Sequence, residues 1–157
     1  MNIPDNIQAV EKSDLEDLKT VIDTSGLFPS DLLEGLMNNY FENSETEELW
    51  LTKRINGKCV AVSYCAPERL TEGTYNLYLI AVHKDFQGSS IGSELMSYVE
   101  NLLRSKGKRI LLVETSGLPE YELTRKFYDN CNYHREAVIR DFYREGEDKI
   151  VFWKKLS

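Results

Sequence analysis

The chain has few of the residues that mark disulfide-rich and metal-binding proteins. Its 157 residues include three cysteines, two histidines and four prolines. The cysteines, Cys59, Cys65 and Cys131, are odd in number and match no zinc-binding spacing, which favours reduced thiols in a cytoplasmic protein. His83 and His134 each stand without a cysteine or carboxylate at ligand spacing, so no metal site is expected.

Basic residues and long apolar runs are also scarce. There are 19 Lys and Arg against 26 Asp and Glu, a formal net charge of −7. An acidic surface repels phosphate backbones, so nucleic acid is not expected as a partner, whereas a protonated amine suits it. No apolar run approaches the roughly 20 residues of a membrane-spanning helix. The opening M-N-I-P-D-N lacks the pattern of a signal peptide, and no membrane partner is expected.

The residues that are present indicate one folded domain over residues 1–157. Hydrophobic residues make up 41% of the chain and aromatic residues 11%, which is enough to bury a core at this length. No linker rich in Pro, Gly or Ser and no internal repeat divides the chain.

The hydrophobic pattern alternates between strands and helices. Four helices are predicted, after Ser13, after Ser30, over 90–105 and after Pro119. Asn56-Gly57 predicts a hairpin turn between two of the strands. The strand–helix–strand unit over 75–115 requires a parallel crossover. The fold class is therefore α/β: a seven-stranded mixed sheet with parallel fourth and fifth strands and helices on both faces. The predicted strands are 7–10, 48–55, 58–66, 75–82, 108–115, 133–143 and 149–155.

The segment from Val82 to Ser93, V-H-K-D-F-Q-G-S-S-I-G-S, is the most informative one. It joins an apolar strand directly to an amphipathic helix, whose first N–H groups have no acceptor within the helix. With the positive end of the helix dipole behind them, these groups favour a bound phosphate. The small residues of the turn leave room for phosphate oxygens: Gly88, Ser89, Ser90 and Gly92.

This segment resembles motif A of the GNAT acyltransferases, Q/R-x-x-G-x-G/A, which binds the pyrophosphate of acetyl-CoA. Gln87, Ile91 and Gly92 fit the motif, whereas Ser90 stands in place of its first glycine. The resemblance extends from the first strand to the C-terminus. It implies the GNAT fold, acetyl-CoA as co-substrate and no metal. It also implies contacts to acetyl-CoA from the strand end and the turn, namely Ile80, Ala81, Val82, Gln87, Gly88, Ser89, Ser90, Ile91, Gly92 and Ser93.

Tyr128 is the predicted general acid. The pair Phe127-Tyr128 resembles the Phe-Tyr of the family, whose tyrosine assists the departing CoA thiolate. A phenol is protonated at neutral pH and can donate to that sulfur. Leu123, Phe127 and Cys131 share one face of the helix, which predicts that this face is buried and that Tyr128 points away from it. The alternative is that Tyr128 is a core aromatic residue.

Glu114, near the end of the fifth strand, is the predicted general base. It shares a strand face with Ile110 and Leu112, and a partly desolvated carboxylate suits a base. Its placement resembles that of the base in ribosomal-protein N-terminal acetyltransferases, and the alternative is a structural carboxylate that accepts N–H bonds. Asn76 stands where histone-type members carry a glutamate, and it cannot take a proton. Glu72 or a water is the remaining candidate base.

The acceptor site is predicted from Asn76, Tyr78 and Arg140, of which the arginine could hold a carboxylate. The predicted function is acetyl transfer to the primary amine of a small molecule (an amino acid, a peptide-like compound or a polyamine), by direct transfer in a ternary complex. The alternatives are a protein N-terminal acetyltransferase and a non-catalytic acyl-CoA-binding regulatory module. The last two strands could support a homodimer. The acceptor itself and the preferred acyl chain do not follow from the sequence.

Overall fold

The computed structural model describes residues 6–157, and within them seven strands and four α-helices. Residues 1–5, on which the signal-peptide argument depends, lie outside the described residues. The strands are β1 Asn6–Ala9, β2 Leu49–Ile55, β3 Lys58–Pro67, β4 Thr74–Val82, β5 Ile110–Ser116, β6 His134–Arg144 and β7 Glu147–Lys155. The helices are α1 Leu15–Ser25, α2 Leu33–Glu42, α3 Ile91–Ser105 and α4 Glu122–Asn130.

The strands form one mixed sheet in the order β1-β2-β3-β4-β5-β7-β6. β2 and β3 are antiparallel, and the turn between them places Asn56 and Gly57 at φ 52° and 81°, as an Asn-Gly hairpin requires. β4 and β5 are parallel, which a strand–helix–strand crossover demands. The predicted seven-stranded mixed sheet with parallel fourth and fifth strands is confirmed.

Contacts divide the described residues into two compact units, of which the first contains residues 6–66 and Leu79–Val99. Within it, α1 ends at Gly26, whose left-handed φ of 70° is the usual helix stop. The apolar face predicted for the start of α3 is buried. The core of this unit consists of Val10, Leu18, Val21, Ile22, Leu33, Met37, Trp50, Cys59, Val62, Leu79 and Ala81.

The second unit contains Pro67–Tyr78 and Glu100–Ser157. Its central strand is β5, which pairs in parallel with the first half of β4 and antiparallel with β7. Leu111 and Val113, which share one face of β5, are buried, whereas Leu112 on the other face is half-buried.

An aromatic cluster closes the core of the second unit. The ring of Tyr128 lies 5.3 Å from that of Phe152 and 6.2 Å from that of Tyr133. The Tyr133 hydroxyl donates to the buried Glu100 carboxylate at 2.7 Å, and Lys154 Nζ lies 3.0 Å from the other oxygen. The buried charge is therefore paired and hydrogen-bonded, which a carboxylate in a core requires.

Candidate active site

The turn between β4 and α3 is exposed and lies in the first unit. Gly88 and Ser90 both have left-handed backbones, with φ 78° and 69°. The first hydrogen bond of α3 runs from the Glu94 N–H to the Ser90 carbonyl at 3.0 Å. The N–H groups of residues 91–93 therefore have no acceptor within the helix, and they stand at its positive end.

The polar side chains of this turn bond to its own backbone. Gln87 Nε2 donates to the Val82 carbonyl at 3.0 Å and ties the turn to the end of β4. The hydroxyls of Ser89 and Ser93 each donate to a carbonyl of the turn. The turn thus keeps its shape through short local bonds, without a bulky side chain over the helix start.

Ser90 adopts the conformation that a glycine would take at the same place in the motif. A left-handed backbone costs an L-residue about 1–2 kcal/mol, whereas glycine takes it freely. The surrounding bonds hold Ser90 in this strained conformation, as strained residues at functional sites generally are. A Cβ built on Gly88 would meet nothing within 4 Å, so the space beside the turn is open. The residues present fit a diphosphate group.

A buried ammonium lies beside the first turn of α3. Lys53 of β2 is 7% exposed, and its Nζ is 2.7 Å from Glu94 Oε1. Sequence reasoning missed this pair because a single lysine in a strand carries no signal of where its long side chain ends. Lys53 therefore neutralises the charge of Glu94 and ties the first turn of α3 to β2.

In the second unit, the parallel pairing of β4 with β5 runs from Thr74 and Ile110 to Leu77 and Val113. Glu114, the residue after Val113, lies opposite Val151 of β7.

Donors from two strands hold the Glu114 carboxylate. Oε1 accepts from Asn76 Nδ2 at 3.0 Å, and Oε2 lies 2.7 Å from Lys149 Nζ. The same Lys149 nitrogen is 3.9 Å from the centre of the Phe142 ring. A proton that moves to Glu114 must therefore displace a donor or arrive through a water. No pattern in the sequence indicated Lys149, because the pairing of β5 with β7 brings it here.

A second carboxylate joins this group. Glu68, the first residue after β3, accepts through Oε1 from Asn76 Nδ2 at 2.8 Å and from the Tyr78 hydroxyl at 3.2 Å. Burial and the charge of Glu68 raise the pKa of the Tyr78 phenol, so this phenol remains a donor. The structure thus brings the predicted Asn76, Tyr78 and Glu114 together. It adds Glu68, which sequence reasoning did not select because it lies in an irregular loop.

The Asn76 amide is oriented by its neighbours. Its nitrogen faces two carboxylate oxygens, and the opposite orientation would place an amide oxygen against them. Asn76 is 1% exposed, and its Oδ1 is buried with no hydrogen-bond partner among the described residues.

Two other predicted residues are not joined to this group by a hydrogen bond among residues 6–157. Arg140 lies on β6, whose residues are all exposed, in an open groove that Val138, Ile139 and Asp141 also line. Glu72, the second candidate base, is exposed, and its backbone carbonyl accepts from a nearby arginine.

Tyr128 is the buried residue of α4, which corrects the packing predicted for this helix. It is 5% exposed, whereas Leu123 is 80% exposed and Phe127 is half-buried. The prediction was wrong because two adjacent apolar residues on a nine-residue helix define two overlapping faces, and the pattern does not decide between them. Burial, and to a smaller extent the nearby Cys131, raises the pKa of Tyr128. Its phenol therefore stays protonated and able to donate, and its role as the acid stays a prediction.

The mixed sheet and the open turn before α3 define the class of N-acetyltransferases. Residues 16–133 match the model of the Acetyltransferase (GNAT) family, and the chain belongs to this family. It is 25% identical to an uncharacterized N-acetyltransferase of Methanocaldococcus jannaschii over 153 residues, which cover 96% of this chain and 86% of the relative.

Solved structures agree with this assignment. A crystal structure from Desulfovibrio desulfuricans, assigned to the GNAT family as an acetyltransferase, is 29% identical with a TM-score of 0.92, and the match covers 98% of this chain and 100% of the other. The structure of yncA from Salmonella typhimurium with its cofactor acetyl-CoA is 14% identical with a TM-score of 0.79. The match covers 99% of this chain and 95% of the other. At this low identity, the second likeness shows the fold alone.

Residues 6–157 contain no cluster of three or more His, Cys, Asp or Glu that could hold a metal ion. None of the helices in this part of the chain combines the length and the apolar character needed to cross a bilayer.

Proposed function

We propose that this GNAT N-acetyltransferase moves the acetyl group of acetyl-CoA to the primary amine of a small molecule, within one domain spanning residues 1–157. The observation that carries the proposal is the left-handed Ser90, because it leaves the N–H groups of residues 91–93 at an exposed helix start. Such a start favours a diphosphate, and Lys53 offsets the negative charge of Glu94 in the same helix turn. The acetyl-CoA of the Salmonella neighbour supports the same co-substrate.

The acceptor class rests on charge. The chain carries a formal net charge of −7, and the group around Glu114 contains two carboxylates against one lysine. A protonated amine is attracted to both, whereas an anionic acceptor is repelled. Free amino acids, peptide-like compounds and polyamines are the acceptors that this favours.

The chemistry we propose is direct transfer in a ternary complex. Glu114 takes a proton from the acceptor's ammonium, through a water where its bound donors stay in place. The freed nitrogen forms the new C–N bond to the acetyl carbon, and the C–S bond breaks. Tyr128 donates a hydrogen bond to the departing sulfur, which takes up the second proton that the attacking nitrogen loses and leaves as a thiol. The net reaction releases one proton and consumes no other reactant.

Two alternatives keep a physical basis. A protein N-terminus is also a primary amine and would meet the same carboxylates. A non-catalytic acyl-CoA-binding module is favoured by Asn76 and Ser90, which replace a glutamate and a glycine of related enzymes. Glu114 and Tyr128 speak against that module, since binding alone needs neither.

Release of free CoA thiol tests the proposal. Wild-type protein is incubated with acetyl-CoA and a panel of amino acids, short peptides and polyamines, and the thiol is followed colorimetrically. We expect release with at least one amine, and acetylation of its nitrogen by mass spectrometry. Calorimetric binding of CoA without thiol release from any small amine or N-terminal peptide would favour the binding module. Release with peptides alone would favour the N-terminal acetyltransferase.

Two secondary expectations belong to this proposal. All three cysteines are free, and burial raises the pKa of Cys65 to about 12, which suits a cytoplasmic location. A homodimer would use the exposed edge strand β6, and light scattering of the purified protein checks its mass.

A further inference from the structure

The loop between β3 and β4, residues 68–73, holds Glu68 in a fixed position. The Glu68 N–H donates to the Thr74 carbonyl at 2.8 Å, and the Thr71 hydroxyl donates to the Glu68 carbonyl at 2.8 Å. A Cβ on Gly73 would lie 3.3 Å from the Arg109 backbone and side chain, so this glycine allows the loop to close against β5's start. The backbone beneath Glu68 is therefore anchored on both sides.

The Glu68 carboxylate is also ordered by donors. Asn76 and Tyr78 both donate to its Oε1, and Asn76 donates with the same nitrogen to Glu114. One amide nitrogen thus holds two carboxylates within 3.0 Å of itself. Like charges that approach this closely repel each other unless a cation lies between or beside them.

Among the described residues, the ion pair of this group lies on the Glu114 side. Lys149 lies against the far oxygen of Glu114 and the ring of Phe142. Counted over Glu68, Glu114 and Lys149, the carboxylates exceed the positive charge by one, and the exposed Arg69 also acts through its charge at Tyr78. A single ammonium would bring the group to balance.

The Asn76 oxygen supplies an independent sign of a missing donor. Asn76 Oδ1 belongs to the same amide that the two carboxylates flank, and it is buried without a partner among the described residues. An unsatisfied buried acceptor is costly and rare in native proteins. The two carboxylates that meet at the Asn76 nitrogen keep free lone pairs, and these are the acceptors that the N–H groups of a primary ammonium require.

We propose that Glu68, positioned by Asn76 and Tyr78, is a specificity-determining residue that receives the ammonium form of the acceptor beside Glu114. This inference rests on the proposed function. Glu68 binds the protonated amine and raises its local concentration, while Glu114 takes the proton. The acceptor class is therefore an alkyl amine that is protonated at neutral pH, and an uncharged amine gains nothing from Glu68.

The test compares two kinds of acceptor in thiol-release kinetics. One is the best alkyl amine of the panel, and the other is a hydrazide or arylamine of similar size, which is uncharged at neutral pH. Glu68→Gln removes the charge and keeps the shape. Loss of a hydrogen bond to a charged group predicts a KM for the alkyl amine that is about 10- to 100-fold higher. The KM values for the uncharged acceptor and for acetyl-CoA should change by less than about threefold.

Glu120→Gln is the matched control, because it makes the same charge change at an exposed residue of the same unit. It should leave all three KM values at wild-type level. Glu68→Asp keeps the charge and should recover part of the affinity for the alkyl amine. A cooperative thermal unfolding transition shows that each variant is folded at the assay temperature.

Each result decides between the two proposals. An equal rise in KM for both acceptors, or no rise for the alkyl amine, overturns the role of Glu68 while acetyl transfer stands. A wild-type protein that acetylates no amine overturns the proposed function, and the role of Glu68 falls with it. If Glu68→Gln does not fold, the comparison is made with Glu68→Asp and Tyr78→Phe. In these variants the KM for the alkyl amine must still rise while the KM for the uncharged acceptor does not.

Discussion

From the strained backbone of Ser90 we predict a change in stability that depends on the conformation of the turn alone. At φ 69°, an L-residue loses about 1–2 kcal/mol relative to a relaxed backbone. Ser90→Gly removes this cost, but it adds about 0.4–1 kcal/mol of chain entropy to the unfolded state. The difference is a gain of about 0–1.6 kcal/mol in the free energy of unfolding, with a midpoint near about 0.8 kcal/mol. For a chain of this size, the midpoint corresponds to a rise in Tm of about 2–3 °C.

Substitutions at the two neighbouring positions serve as controls, because both are expected to lower the Tm. Ser89 is not among the residues with positive φ, so Ser89→Gly gains nothing from relief of strain and should lower the Tm. It also loses the bond from the Ser89 hydroxyl to the turn. Gly88 has φ 78° and open space for a Cβ, so Gly88→Ala adds strain without a clash and should lower stability by about 0.5–1 kcal/mol.

Differential scanning calorimetry of the three variants measures these changes under one condition. The expected order of Tm is Ser90→Gly, wild type, then Ser89→Gly and Gly88→Ala. Isothermal titration with CoA should show that Ser90→Gly binds at least as tightly as wild type, because the glycine keeps the same backbone. A Tm for Ser90→Gly that falls as far as that of Ser89→Gly would refute the left-handed conformation and the argument for the open amides.

Three further predictions concern catalysis and pH. Tyr128→Phe should lower kcat at saturating acetyl-CoA with little change in CoA affinity, and an unchanged kcat would remove Tyr128 from its assigned role. Glu114→Gln should depress the rising alkaline limb of the pH–rate profile, and a profile that overlays wild type would mean another base. Burial opposes ionisation of Asp14, but Arg54 Nη2 lies 2.6 Å from both its oxygens, and hydrogen bonds lower the pKa of Asp14 below 3.8. The stability from this pair is present above about pH 4 and disappears as the pH falls through the lower folded-state pKa. Asp14→Asn should therefore lose about 2–4 kcal/mol at pH 7 in urea unfolding and progressively less as the pH falls below 3.8, and a loss that does not shrink on acidification would contradict the assignment.

The placement of secondary structure could be read from local signals. Asn56-Gly57 predicted its hairpin because few residue pairs accept positive φ at both positions. The apolar spacing of α3 predicted its buried face because the face repeats over four turns. The nine residues of α4 were too few for the same argument, and Tyr128 rather than Leu123 proved to be buried.

The residues around Glu114 could be predicted only in part. Asn76, Tyr78 and Glu114 lie on strands whose parallel pairing follows from the crossover, so their proximity is foreseeable. Glu68 and Lys149 are not, because the first lies in a loop and the second reaches Glu114 through a strand pairing distant in sequence. Lys53 was missed for a similar reason, since nothing in β2 indicates where its ammonium ends.

The sequence by itself determined the order of strands and helices, the parallel crossover and the turn of small residues that identifies the family, because these depend on short-range periodicity and backbone preference. Only the tertiary structure decided which charged groups meet. It pairs Lys149 with Glu114, joins Glu68 to Glu114 through one asparagine, and buries Tyr128. These contacts depend on where side chains from segments distant in sequence end in space. The pattern of residues along the chain does not contain the distances between those side-chain ends.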